Sequence, residues 1–359
     1  MDPRTLMQGC SPLKMKVLAA SVAATLTAGL VGCVGGPTRG VDTTGIDWHK
    51  VPATKLVLFY PGKSSYEWLR DPAAHKGAAS ETTRGDSCVS CHDDAKEEQR
   101  QGAKILRGNH PLEPIALPGK PGHVDMNVQA AYDDKNAYFR YQWKGANNVE
   151  YPYYRYDGKE WKVYGAPRLD KPVQEGKQPA IYETRLSMMV DDGKVPMFKE
   201  QGCWLTCHEG ERDLNPATKE EVAANAAMKA YKRADVRKYL PASRSNVSDW
   251  KTGKSLDEIA KIKAAGGFVD LIQWRGHRTN PVGGADDGYV LEWRNFDNGK
   301  NHFASNLDAA TKQPKFMFDA AKFGSKAVTA DQVGKKDNFL IKGTNAVPFD
   351  PNAGWKAGD

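Results

Sequence analysis

Nothing in this 359-residue chain is apolar for long enough to cross a bilayer as a helix, which takes about 20 residues. The longest apolar run, Val17 to Val31, is short, is rich in Ala, Gly and Thr, and follows Lys14 and Lys16. No Lys/Arg run marks a nucleic-acid surface. The net charge is +7, and Arg4, Lys14 and Lys16 against Asp2 supply two of those charges, leaving about +5 beyond Cys33. There is no internal repeat, P-loop, dinucleotide-binding turn or Ser/His/Asp signature, and the carboxylates are scattered as on a solvated surface. With 40% hydrophobic and 26% charged residues, the composition excludes a disordered or membrane-embedded chain. Two residue types are scarce: six cysteines and eight histidines. Their placement carries the argument.

A positive flank before a short apolar stretch is the pattern of a secretory signal peptide, and Met15 is an alternative start. The run ends in Leu30-Val31-Gly32-Cys33, which resembles the bacterial lipobox, whose cysteine is lipidated and becomes the mature N-terminus. The alternative is a plain signal with Cys33 incidental. The expectation is a signal over 1–32, then a lipidated Cys33 and flexible tether over 33–54, Gly- and Thr-rich through Val34 to Thr44. Such a chain sits in an oxidising periplasm, anchored to a membrane.

Cys10 leaves with the signal and Cys33 goes to lipid. Cys88, Cys91, Cys203 and Cys207 remain, in two clusters each followed at once by histidine. Cys88-Val89-Ser90-Cys91-His92 is the C-x-x-C-H pattern of covalent haem attachment: two thiols add to the porphyrin vinyl groups and His92 reaches the iron. A redox dithiol would open a helix in a strand–helix unit, and a zinc site would need further ligands; neither context is present. Cys203-Trp204-Leu205-Thr206-Cys207-His208 has one residue more, a rarer C-x-x-x-C-H variant. Its rival is a disulfide beside a surface histidine. Helical i,i+4 spacing of about 5–6 Å exceeds the Cβ separation of about 3.5–4.5 Å that a disulfide needs, and leaves the adjacent His208 unexplained. Two haems c are therefore expected, with His92 and His208 as metal ligands.

A second axial ligand for each comes from His49, His75, His110, His123, His277 and His302, each of which alone is an ordinary surface or hydrogen-bonded histidine. His75 closes an aromatic segment from Tyr66, just before the first cluster; His110 and His123 lie in the Gly/Pro-rich stretch after it, with Met126 as a softer ligand that would raise the potential.

From Asn127 onward the pattern turns to strands: Val128 to Tyr132, a turn at Asp133 to Asn136, then Ala137 to Trp143 with Phe139, Tyr141 and Trp143 on one face. Further strands are expected at Arg185 to Val190, Gly267 to Trp274, Tyr289 to Arg294 and Lys315 to Phe318, with turns at Asp191-Asp192-Gly193, Asp286-Asp287-Gly288 and Asn298-Gly299. Lys219 to Tyr239 predicts a helix between Pro216 and Pro241, and Ser255-Leu256-Asp257-Glu258 is a capping box for a second, stopping at Gly266-Gly267.

From about Asn127 to its end the chain resembles the haem-binding γ-subunits of ethylbenzene dehydrogenase and dimethyl sulfide dehydrogenase. The resemblance rests on Ala131-Tyr132-Asp133-Asp134 through Trp143, Arg185-Leu186-Ser187-Met188-Met189, Gly202 through His208, and Gly267 through Arg275. It implies a β-sandwich with helical insertions that holds haem against a sheet face and passes electrons between partners. Those subunits hold a non-covalent haem through Met and Lys, whereas here a covalent-type cluster stands in the first-ligand region and Trp274 is followed by Arg275, which cannot ligate iron. His277, two residues on, is preferred as second ligand to the haem at His208, with Met188, Met189 and Met317 as alternatives. Tyr60-Pro61-Gly62, Trp68-Leu69 and His75 resemble the extra haem module of related exported cytochromes, which favours His75 for the first haem.

The fold class expected is mainly β: a small helical and loop haem module over 55–126, then a sandwich over 127–359 with a helical insertion over 215–265. The function expected is electron transfer between a membrane or molybdenum oxidoreductase and a redox partner. The competing readings are a haem enzyme acting on a small sulfur or nitrogen oxyanion, and a monohaem ligand-binding sandwich.

Overall fold

The computed structural model describes residues 42–60, 71–73, 75–78, 86–108, 121–144, 154–163, 175, 177, 183–206, 208, 217–247, 249–297, 304–328 and 339–359. Cys33, Cys207, His110, His302, the segment 61–70 and the turn expected at Asn298-Gly299 lie outside them.

Along the chain run β1 (Thr54–Phe59), α1 (Ala95–Leu106), β2 (His123–Tyr132), β3 (Ala137–Trp143), β4 (Tyr154–Tyr156), β5 (Trp161–Val163) and β6 (Arg185–Val190). Then come α2 (Phe198–Gln201), α3 (Lys219–Ala224), α4 (Ala226–Tyr231), α5 (Leu256–Ala264), β7 (Val269–Arg275), β8 (Asp286–Val290), β9 (Arg294–Phe296), β10 (Phe316–Phe318), α6 (Ala320–Phe323) and β11 (Ala346–Pro348). Among the described residues these strands make four small antiparallel sheets, ordered β1-β2-β3, β4-β5, β6-β7-β8-β9 and β10-β11. The architecture is a mixture of such sheets and short helices.

β2 is the centre of its sheet. Met126 lies opposite Leu56 on one side and Trp143 on the other, and Val128 opposite Tyr141, so period-2 alternation gathers these side chains on one face. The β2–β3 turn forms as expected: Asp133 Oδ1 accepts from the backbone N–H of Lys135 and Asn136, both at 2.8 Å. The break between 126 and 127 falls inside β2, which pairs with β1 from the preceding region. His123 opens the same strand, opposite Phe59.

In the four-stranded sheet, Val269 and Leu271 of β7 and Val290 of β8 face inward, packing with Val222, Met228, Tyr231 and Ile259 from the helices and with Leu205 from the second cysteine cluster. Tyr141 Oη donates to Met188 Sδ at 2.6 Å, and the Trp143 and Trp274 rings meet edge-on at 6.5 Å, so β3 touches the opposite face of this sheet.

Three expectations need correction. The helix over Lys219 to Tyr239 is broken at Asn225, which is extended and whose side chain accepts from Met228 N–H at 3.0 Å, capping a new helix. That helix ends at Lys232, in the left-handed region with φ 57°. Asp286-Asp287-Gly288 is strand rather than turn. Asp286 is buried and pairs with Arg275 at 2.7 Å, and Gly288 lies so close to β9 that a Cβ there would sit 2.2 Å from the Asn295 carbonyl oxygen. The break instead follows Val290, splitting the strand expected over Tyr289 to Arg294. The Ser255–Glu258 capping box forms, with Ser255 Oγ accepting from Glu258 N–H at 3.3 Å.

Candidate haem-attachment sites

The first cluster is a single tight turn. Cys88–Ser90 is a 3-10 helix, and the Cys88 carbonyl accepts from the backbone N–H of Cys91 at 3.2 Å and of His92 at 2.9 Å. Cys88, Cys91 and His92 are thus held within one turn, as attachment along one porphyrin edge requires. Cys91 is exposed and Val89, between the cysteines, is 66% exposed, leaving room for a large planar group beside them.

His75 stands across from His92. Their ring centroids are 6.2 Å apart and the rings are within 11° of parallel. That is too far for contact between flat rings, which in the same molecule brings His208 and Tyr239 to 3.8 Å. Two metal–nitrogen bonds of about 2 Å, with about 1 Å from each nitrogen to its ring centre, would set a similar separation of about 6 Å with the two ring nitrogens pointing at one another. Two cysteines in one turn and two histidines beside them are the donor types that a bis-histidine haem c uses. His75 N–H donates to the Asp71 carbonyl at 2.7 Å, and the Ala78 N–H to His75's own at 3.0 Å, which fixes its backbone.

Behind His92, α1 begins. Asp94 caps it by accepting from Lys96 N–H at 2.9 Å, and Glu97 in the first turn brings Oε2 to 3.5 Å from His92 Nδ1. The helix is fixed to β2 by Gln99 Nε2, which donates to Asp125 Oδ1 at 3.2 Å, and by Gly102 packed on the Gly122 carbonyl. Burial lifts the Glu98 carboxyl above the usual carboxylate range; His92 opposes the shift, while Glu97, Asp94 and Asp93 add to it. Sequence reasoning missed Glu97, although a glutamate in the first turn of a helix just after C-x-x-C-H was a signal.

The second cluster is built differently. Gly202–Thr206 is a 3-10 helix carrying Cys203, which is exposed, and Leu205, which is sunk in the core. His208 is 1% exposed. Its ring stacks on Tyr239, its Nε2 lies 3.2 Å from the Leu205 carbonyl oxygen, and the far side of this pair is closed by the Arg244 guanidinium, 3.9 Å over the Tyr239 ring. Tyr239 was not foreseen, because nothing local links it to the cluster. Met189 lies nearby, with Thr206 Oγ1 3.8 Å from its Sδ.

His277 is elsewhere in contact terms. It follows β7 in a turn held by the buried Glu183 carboxylate, which accepts from the N–H groups of His277 and Arg278, both at 3.0 Å, and pairs with the Arg278 guanidinium. A Cβ at Gly276 would stand 2.4 Å from Phe339, whose ring tilts against His277 at 5.6 Å. Burial pushes the His277 imidazole down to about 3, so it stays neutral, the form that ligates metals. With Met317, Trp161, Phe349 and Trp355 it lines a mostly apolar cavity of ≈ 90 Å3; neither Cys203 nor His208 is among the described residues of its wall. The remaining alternatives have structural surroundings: Met126 is 5% exposed within β2, and Met188 accepts from Tyr141.

The ethylbenzene dehydrogenase family profile matches residues 46–359. The chain belongs to that family. The match takes in Cys88 to His92, so the first cluster lies within the family's extent rather than before it, in keeping with the pairing of β1 to β2. Two relatives carry cytochrome names. Cytochrome c-552 of Stutzerimonas stutzeri is 27% identical over 291 residues, covering 80% of this chain and 75% of its own. Cytochrome c-551 of Rhodocyclus tenuis is 28% identical over 213 residues, covering 58% and 68%. No solved structure is significantly similar.

Proposed function

We propose that this chain is an exported dihaem c-type cytochrome, lipid-anchored through Cys33 in the periplasm. It carries electrons between a membrane or molybdenum oxidoreductase and a redox partner. The observation that carries this reading is the pair of near-parallel histidine rings, 6.2 Å apart, beside a C-x-x-C-H turn. Membership of a dehydrogenase family and relatives named cytochrome c support it. Cys88 and Cys91 hold the first haem, with His92 and His75 as axial ligands. Cys203 and Cys207 hold the second, with His208 and His277. Haem bound at such sites supplies a one-electron couple, and six-coordination keeps the iron from binding substrate. The protein's part is positioning. The tight turn sets the thiols, Glu183 fixes the His277 loop, and the exposed Val89 would leave a haem held there accessible to a partner. On this reading the sheets brought together by Tyr141–Met188 and Trp143–Trp274 are the two halves of a sandwich, which those contacts support.

One observation favours a second reading. His208 is stacked and its Nε2 already faces the Leu205 carbonyl, as in a structural histidine. On that reading the chain holds one haem, Cys203 pairs with Cys207, and the sandwich binds a ligand in the His277 cavity. An intact-mass measurement of the mature, denatured protein separates the two. The first reading expects two haem increments and a diacylglycerol; one increment with a disulfide supports the second.

A further inference from the structure

The first cluster holds a group that haem attachment does not require. We infer that Glu97 is a positioning residue for His92, accepting the Nδ1 proton and holding the imidazole in the orientation and electron-rich state that favours ferric iron. This rests on the proposed ligation of iron by His92. When Nε2 of a histidine is taken by a metal, its proton lies on Nδ1, and the acceptor of that proton fixes the ring and sets its basicity. Among the described residues, the carboxylate oxygen within reach of Nδ1 is Glu97 Oε2, at 3.5 Å. The position is built rather than incidental. Asp94 caps the helix that carries Glu97, Gln99 ties it to Asp125 of β2, and Gly102 packs it on the Gly122 carbonyl. The acceptor therefore belongs to a helix clamped on a sheet, not to a loose surface arm.

A carboxylate gives the ring more anionic character than a backbone carbonyl does, and anionic character stabilises the higher oxidation state. The side chains are 44% and 36% exposed, so water screens part of the effect. Glu98 supplies the control. It is the next residue, its carboxyl also interacts electrostatically with His92, and among the described contacts it makes no hydrogen bond to the ring. Charge alone predicts similar effects from Glu97 and Glu98; a hydrogen bond predicts an effect from Glu97 only.

The experiment is spectroelectrochemistry of the full-length holoprotein and of Glu97→Gln, Glu97→Ala and Glu98→Gln. Both Glu97 variants are expected to keep covalent haem and to raise the midpoint potential of one haem by about a three- to tenfold loss of ferric preference, tenfold being about 59 mV for one electron. Glu98→Gln is expected to shift it by less than half as much. Unchanged potentials in the Glu97 variants, or an equal shift in Glu98→Gln, overturns the inference. A first haem that is high-spin in the wild type overturns the ligation reading instead, so the two failures are told apart.

Discussion

The two cysteine clusters differ in what surrounds their histidines. His92 is half-exposed and its ring lies 6.2 Å from that of His75; His208 is buried and its ring stacks on Tyr239 at 3.8 Å. The first site is held by hydrogen bonds within a turn and a helix clamped on β2. The second is part of the main core through Leu205, which packs with Val269 and Leu271. The difference teaches that identical residue adjacency, Cys-His, can be set in an open frame or a closed one. A closed frame must rearrange its histidine before that nitrogen reaches a ligand, whereas the open one leaves its histidine accessible.

The sharpest way to break this comparison is to remove attachment at one cluster at a time. Cys88→Ala with Cys91→Ala should abolish one covalent haem completely, read as haem stain per mole of denatured protein. Unchanged stain at normal protein level would contradict the assignment of the open site.

A smaller effect is expected from the distal ligands. His75→Ala and His277→Ala should each turn one haem of two into a high-spin, carbon-monoxide-binding form while leaving its attachment intact, read from the ferric spectrum and gas titration. If His277→Ala leaves the spectrum untouched, the distal role passes to Met188, Met189, His302 or Met317 and the closed site alone is reassigned.

The smallest effects are on the frames. Gly102→Ala places a Cβ 1.8 Å from the Gly122 carbonyl oxygen, and Gly276→Ala places one 2.4 Å from Phe339. Backbone yields less readily than a ring, so chemical denaturation should show a loss of about 2–4 kcal/mol for the first and about 1–3 kcal/mol for the second. The reverse order would show that the His277 loop is the more rigid of the two.

What was legible in the sequence was local. Arg185–Val190 appears as the strand expected there, and the Ser255–Glu258 box caps a helix, because both depend on neighbours within a few residues. Contacts between distant residues were not. Asp286 reads as turn because acidic residues favour turns, yet its pairing with Arg275 draws it into β8. The family resemblance was set too late in the chain, since only the pairing of β1 with β2 shows that the first region shares a sheet with the second. Tyr239 on His208, 31 positions apart, and Glu183 under His277, 94 apart, were invisible to any local pattern.

The central claim is that His75 and His92 clamp one iron between them. Its most direct test is the ferric spectrum of a Cys203→Ala, Cys207→Ala variant, which leaves the first cluster as the sole attachment site. The account predicts one covalent haem that is low-spin and does not take up carbon monoxide on reduction. A high-spin haem that binds carbon monoxide at once would contradict it.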